Sequence, residues 1–206
     1  MKNTKRFSLL CILLLSSLAI QYGYAEDELD REFGTHDPQT FEPEIIDVEE
    51  EYLTGEDRRL IAYPRLRIIT DYTHLTAGTD EFKTYVKDQL IPAVVSYLRG
   101  ALQVKYPVTT PIVSTAAKLC GFATPQILKD GIRGDIVFII NSKYDSTGGW
   151  MAATTSCALT SGVRKPLVVN VGINTYAIGT AKIDENPLNH DLYVNTLFMN
   201  LFMVWQ

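Results

Sequence analysis

The sequence predicts an α/β domain in which a mixed, twisted sheet is backed by one long helix. Three stretches carry this expectation. Phe82, Val86, Leu90, Val94, Tyr97 and Ala101 recur at helical spacing within residues 80–104, and the apolar face they make must pack on a sheet. Residues 135–140, Asp-Ile-Val-Phe-Ile-Ile, form a short β-branched run between Gly134 and Asn141, the pattern of a buried strand. Residues 166–171, Pro-Leu-Val-Val-Asn-Val, read as another strand. Of the 206 residues 46% are hydrophobic and 21% charged, enough to bury one ordinary core and unlike a disordered or fibrous chain.

Residues 1–25 read as a secretory signal. Lys2, Lys5 and Arg6 give a positive start, residues 9–20 are apolar, and Gly23-Tyr24-Ala25 offers small residues for cleavage after Ala25. The apolar run falls short of the roughly 20 residues a spanning helix needs. Residues 26–59 are an acidic leader. Its stretch 26–57 holds 14 of the 24 acidic residues against Arg31 alone, whereas from Arg58 onward 15 basic residues face 10 acidic ones. With Pro38, Pro43 and few large apolar residues, the leader is expected to be poorly ordered on its own. It reads either as a solvated leader or as a propeptide that lies against the more basic body and is cut near Arg58-Arg59. It contains no cysteine, so a thiolate blocking a metal is not how it would act.

The body, residues 60–206, opens with Pro64-Arg65-Leu66-Arg67-Ile68-Ile69 as a strand. Thr79-Asp80-Glu81 then starts the long helix, a capping residue followed by acids that suit the helix dipole. Pro92 should kink it, since proline removes a backbone donor and clashes with the preceding turn. After a loop marked by Pro107 and Pro111 come Cys120-Gly121 and the strand at 135–140. Residues 148–157 are small except for Trp150, and small strand residues allow another backbone to approach closely. Residues 174–189 read as loop, and Asp191-Leu192-Tyr193 as the start of a terminal helix.

Of three cysteines, Cys11 would leave with the signal. Cys120 and Cys157 would then remain in an oxidising compartment, most simply as one disulfide, with two buried thiols as the other reading. The bridge would span a separation of 37 residues and contribute about 3 to 4 kcal/mol by restricting the unfolded chain. The three histidines have ordinary readings: His36 in the leader, His74 in a Thr-rich turn, His190 just before the terminal helix, none spaced as a ligand pair. Asp135 and Asp145 read as turn chemistry, and Trp150 as core or as a cleft wall.

Taken together and in order, several of these patterns resemble leishmanolysin, the zinc metallopeptidase family within the metzincins. The matching residues are Leu66-Arg67-Ile68, Leu90-Ile91-Pro92, Cys120 before the 135–140 strand, Trp150-Met151-Ala152 leading to Cys157, Val168-Val169-Asn170-Val171 and Val194-Asn195-Thr196. The resemblance runs from about Pro64 to Gln206. It implies the N-terminal portion of a zincin-like subdomain, a Cys120–Cys157 bridge, and a cleft candidate at Trp150, Met151 and Ala152 where an extended substrate pairs with a strand. It also implies a secreted or cell-surface endopeptidase acting on proteins or peptides through zinc-bound water, with no nucleic-acid partner. The third zinc ligand and any membrane attachment would lie beyond Gln206.

Directly after Thr196 the family places His-Glu-x-x-His on a helix, two zinc ligands four apart and a general base between them. The residues at those positions are Met199 and Met203 for the ligands and Asn200 for the base. A thioether suits copper(I) rather than zinc, and an amide cannot accept the proton. Met199 and Met203 read as core filler rather than as copper ligands. As written, no zinc is expected on this chain and no hydrolysis by it.

The genetic code offers a reason. Met is ATG and Asn is AAT or AAC, so the codon straddling Met199 and Asn200 is GAA, for Glu. The codons straddling Phe198–Met199 and Phe202–Met203 are each CAT or TAT, for His or Tyr. Met203 into Val204 forces Gly, and Trp205 into Gln206 forces Ala. The shifted frame reads His-Glu-x-x-His-Gly-x-Ala when both phenylalanine codons end in C. A frame-shifted or misjoined gene product is therefore expected. The alternatives are a secreted non-catalytic homologue or pseudogene product that binds peptides, and an unrelated surface adhesion protein.

Overall fold

In the computed structural model of the chain, residues 42–51, 63–162, 164–179 and 187–203 are described. Apart from residues 147–149, they belong to one compact unit made of Gln39–Ser146 and Trp150–Gln206. The signal, most of the leader, His36 and Arg58-Arg59 lie outside the described residues.

In chain order the elements are β1 (Glu44–Ile46), β2 (Ile68–His74), α1 (Asp80–Tyr85), a π-helical segment (Val86–Leu90), α2 (Ile91–Ala101), β3 (Lys118–Leu119) and β4 (Phe122–Ala123). They continue with α3 (Gln126–Asp130), β5 (Ile136–Lys143), β6 (Ala152–Thr160), β7 (Pro166–Asn174), α4 (Thr175–Gly179) and α5 (Pro187–Met203). The main sheet has five strands in the order β1-β6-β7-β5-β2. β2, β5 and β7 run parallel, β6 runs antiparallel to β7, and β1 runs parallel to β6. The sheet is therefore mixed and the fold α/β.

β5 explains why the sheet is covered on both faces. Alternate residues of a strand point to opposite sides. Ile136, Phe138 and Ile140 enter a core with α1, α2 and α5, whereas Val137 and Ile139 enter a second core with Ile112, Leu119, Leu128 and the two cysteines. All five are at most 1% exposed. The Cys120–Cys157 disulfide forms, with Cα atoms 5.2 Å apart, and ties the β3–β4 hairpin to β6.

The long helix departs from expectation in its packing face. Thr79 Oγ1 caps it, accepting from the Phe82 amide at 3.2 Å, but the helix ends at Ala101 rather than Val104. Pro92 falls in the first turn of α2, directly after the π-helical segment. That wider turn accommodates the proline and takes up an extra residue, shifting the buried stripe by one position. Ile91, Val94, Val95 and Leu98 are buried, while Tyr97 is 62% exposed and Ala101 also faces out.

Three boundaries also move. The opening strand runs over Ile68–His74 rather than Pro64–Ile69, because the Arg67 carbonyl first meets the Asp135 and Ile136 amides. The predicted loop 174–189 contains α4 and the first turn of α5, which starts at Pro187, a residue suited to a first helical turn. His190 thus lies inside α5, not before it. The acidic leader is ordered by the body over residues 42–51. Ile46 is buried in the second core, Ser114 Oγ donates to Glu44 Oε2 at 2.6 Å, the Glu51 amide donates to the Pro107 carbonyl at 3.1 Å, and Lys165 Nζ lies 2.8 Å from Glu50 Oε1.

Candidate functional site

Helix α5 carries the positions where metal ligands and base are expected, and its sequence decides how it sits. Tyr193, Val194, Leu197 and Leu201 recur at helical spacing and are buried in the first core. Asn200, next to Leu201, is drawn to the edge of that face, whereas Met199 is 55% exposed. Met203 ends the helix one turn beyond Met199.

Asn200 meets β6. Its Nδ2 donates to the Thr196 carbonyl at 3.0 Å and to the Ala152 carbonyl at 3.5 Å, and its own carbonyl accepts from Thr154 Oγ1 at 3.0 Å. The structure so brings the expected base position to one of the three cleft candidates. Met151 and Ala152 pack against the first core. Trp150 is held differently, its Nε1 donating to Asp145 Oδ2 at 3.0 Å. On the outer side of β6, β1 pairs with Ala158, Leu159 and Thr160, and among the described residues no strand pairs with residues 152–157 there.

The residue types at these positions do not fit zinc. Met199 offers at most a soft thioether, and the Asn200 amide can neither serve as a carboxylate nor accept a proton. Among the described residues no group of three or more His, Cys, Asp or Glu side chains is placed to hold a metal ion.

The remaining singled-out residues have structural partners. His74 Nε2 lies 2.8 Å from the Ala123 carbonyl, and its ring packs on Phe122 at 5.1 Å. His190 Nδ1 lies 2.8 Å from the Tyr85 hydroxyl, linking α5 to α1. Burial first, and the neighbouring Tyr193 second, push the Tyr85 phenol up to about 12. Asp135 is not turn chemistry. Its carboxylate is 1% exposed and accepts from the Arg67 guanidinium, the Arg67 amide and the Val108 amide. Burial alone would raise the Asp135 carboxyl, but these hydrogen bonds and the Arg67 charge outweigh it and hold the group below the usual carboxylate value. Asp145 does sit in a loop, where its amide donates to Asn174 Oδ1.

Asn174 is the residue that sequence reasoning missed. It is fully buried at the end of β7, and Nδ2 donates to the Asp145 and Trp150 carbonyls at 2.9 and 3.0 Å. Its Oδ1 accepts from the Asp145 and Tyr176 amides at 3.1 and 3.0 Å, and its own amide donates to the Met151 carbonyl at 2.9 Å. One side chain thereby sets the approach of the chain into β6 and the start of α4. The available signal was an asparagine closing a mostly apolar strand, a position where a buried amide must find partners. Compared with known proteins, the chain matches no protein-family model and no curated protein.

Proposed function

We propose that the chain is the N-terminal portion of a leishmanolysin-like, zincin-type peptidase domain, from a secreted or cell-surface protein that acts on proteins or peptides. The observation that carries this reading is the Asn200 contact with Ala152. It sets the helix expected to bear the motif against an antiparallel strand whose outer edge is unpaired over residues 152–157. A peptidase of this type needs both parts side by side: a helix bearing the reacting groups, and a strand edge that lines up an extended substrate through backbone hydrogen bonds. The Cys120–Cys157 bridge agrees with the same reading. Zinc belongs to the intact family motif, and this chain as written supplies neither its ligands nor the base.

The deciding experiment is the nucleotide sequence of a transcript from the Thr196 codon through a few hundred bases past Gln206. The expected result is a one-base correction or missed junction that restores His-Glu-x-x-His in an open frame. A frame that stands as written overturns the catalytic reading. It leaves the second reading, a non-catalytic peptide-binding homologue, which is favoured by the Asn200 amide being committed to the Ala152 and Thr196 carbonyls.

A further inference from the structure

At the opposite edge of the sheet from β1, between β2 and α2, lies a cleft of about 620 Å3 whose lining includes Arg65, Thr70, Tyr72, Pro92, Ser96 and Arg99. None of its lining residues is acidic. Among the described residues neither Arg65 nor Arg99 is in an ion pair. Strand β2 pairs with β5 on its inner side alone; just before it Arg65 bridges Gln103 and the Pro64 carbonyl accepts from the Val104 amide, so among the described residues the outer edge is open from Ile68 onward.

The backbone direction at that edge follows from the contacts. The Arg67 carbonyl is turned inward, where it accepts from the Ile136 amide of β5. In a parallel pair successive residues turn their backbone groups to alternate sides, so Ile68, Thr70 and Tyr72 turn theirs outward. The Ile68 carbonyl there accepts from Arg99 Nη2 at 2.8 Å, which fixes that guanidinium beside the open edge. The side chains of Ile68, Thr70 and Tyr72 face the cleft on the α2 side.

From this geometry we infer that the cleft binds an extended acidic peptide segment, added as a further strand alongside β2. The Thr70 and Tyr72 amides pair with the peptide backbone. Alternate peptide side chains, about 7 Å apart, fall on the α2 side of the sheet, where Arg65 and Arg99 donate to their carboxylates and Ser96 offers a hydroxyl. Arginine suits this role because its planar fork donates two hydrogen bonds to one carboxylate. The inference uses the edge opposite β6 and does not rest on the peptidase reading.

The test titrates the full-length chain with a blocked peptide of alternating Glu and Val, following backbone amides by NMR, alongside the same peptide with Gln for Glu. The expected result is binding that slows exchange at the Thr70 and Tyr72 amides and not at Ile69 or Asp71. The Gln peptide, and the R65Q and R99Q variants, should each bind about tenfold more weakly, the loss of a charge-assisted hydrogen bond. Because Arg99 also touches the Ile68 carbonyl, R65Q and the peptide-charge comparison decide the question even where R99Q unfolds the chain. Equal binding of the Gln peptide, protection elsewhere than β2, or no binding overturns the inference.

Discussion

Arg67 holds the carboxylate of Asp135 from two sides, Nε to Oδ2 at 3.0 Å and Nη2 to Oδ1 at 2.8 Å, while the Arg67 amide reaches the same Oδ2 at 2.9 Å. The Val108 amide adds a bond at 3.0 Å to Oδ1, and the Val108 carbonyl accepts from Arg67 Nη2. One carboxylate thus joins the entry of β2, the entry of β5 and the loop that covers the second core.

Replacing it should cost the fold heavily. Asp135→Ala leaves two backbone donors and a guanidinium without their acceptor, and a loss of about 3 to 5 kcal/mol is expected in denaturant unfolding. The folded carboxyl lies below its unfolded value of about 3.9. Its stabilising contribution is therefore complete above that pH and lost as pH falls through the lower folded value. Comparison of the acid limb of unfolding in the natural chain and in Asp135→Asn checks this; an unchanged limb would count against the clamp.

Tyr85 gives the opposite sign at alkaline pH. Its folded phenol titrates at about 12 against about 10 unfolded, so its contribution is intact below about pH 10 and is lost as pH rises toward the folded value. Absorbance titration should reveal a late-ionising tyrosine that Tyr85→Phe removes. The same substitution should cost about 0.5 to 1.5 kcal/mol through loss of the His190 hydrogen bond.

Asn174→Ala should release the segment between Asp145 and Trp150, since it strands two carbonyls and two amides that the side chain now satisfies. A loss of about 2 to 3 kcal/mol is expected, with faster amide exchange at Asp145 and Tyr176 and altered Trp150 fluorescence. Unchanged exchange at both amides would show that the loop holds its shape without this residue.

The leader strand should matter through one side chain. Ile46 is 6% exposed beside Val108 and Ile112, whereas Ile45 is 48% exposed. Ile46→Ala should destabilise by about 2 to 4 kcal/mol and Ile45→Ala by no more than about 0.5 kcal/mol, both read from thermal or denaturant unfolding. Equal effects would mean that β1 is not seated on the second core.

The strands at 135–140 and 166–171 were legible because a β-branched run buried on both faces has few other interpretations. The helix was legible in existence but not in face. Uniform α-helical spacing does not anticipate the π-helical segment before Pro92, which changes the phase after Leu90, exposing Tyr97 and burying Ile91 and Val95. The candidate site was legible only in part: residue order marked Ala152 and Asn200, and their contact required the folded chain.

Local pattern by itself determined what short-range physics can encode: the α/β class, the strand cores and the Thr79 cap, whereas the cysteine count gives the Cys120–Cys157 pairing only as the simplest expectation and the folded chain decides it. Tertiary structure alone decided the partners of Asp135, Asn174, His190 and Ile46, because each satisfies groups 24 to 105 residues away or beds among residues distant in sequence. A buried carboxylate or amide looks like a turn residue until the chain closes around it, since its stability comes from donors that no local window contains.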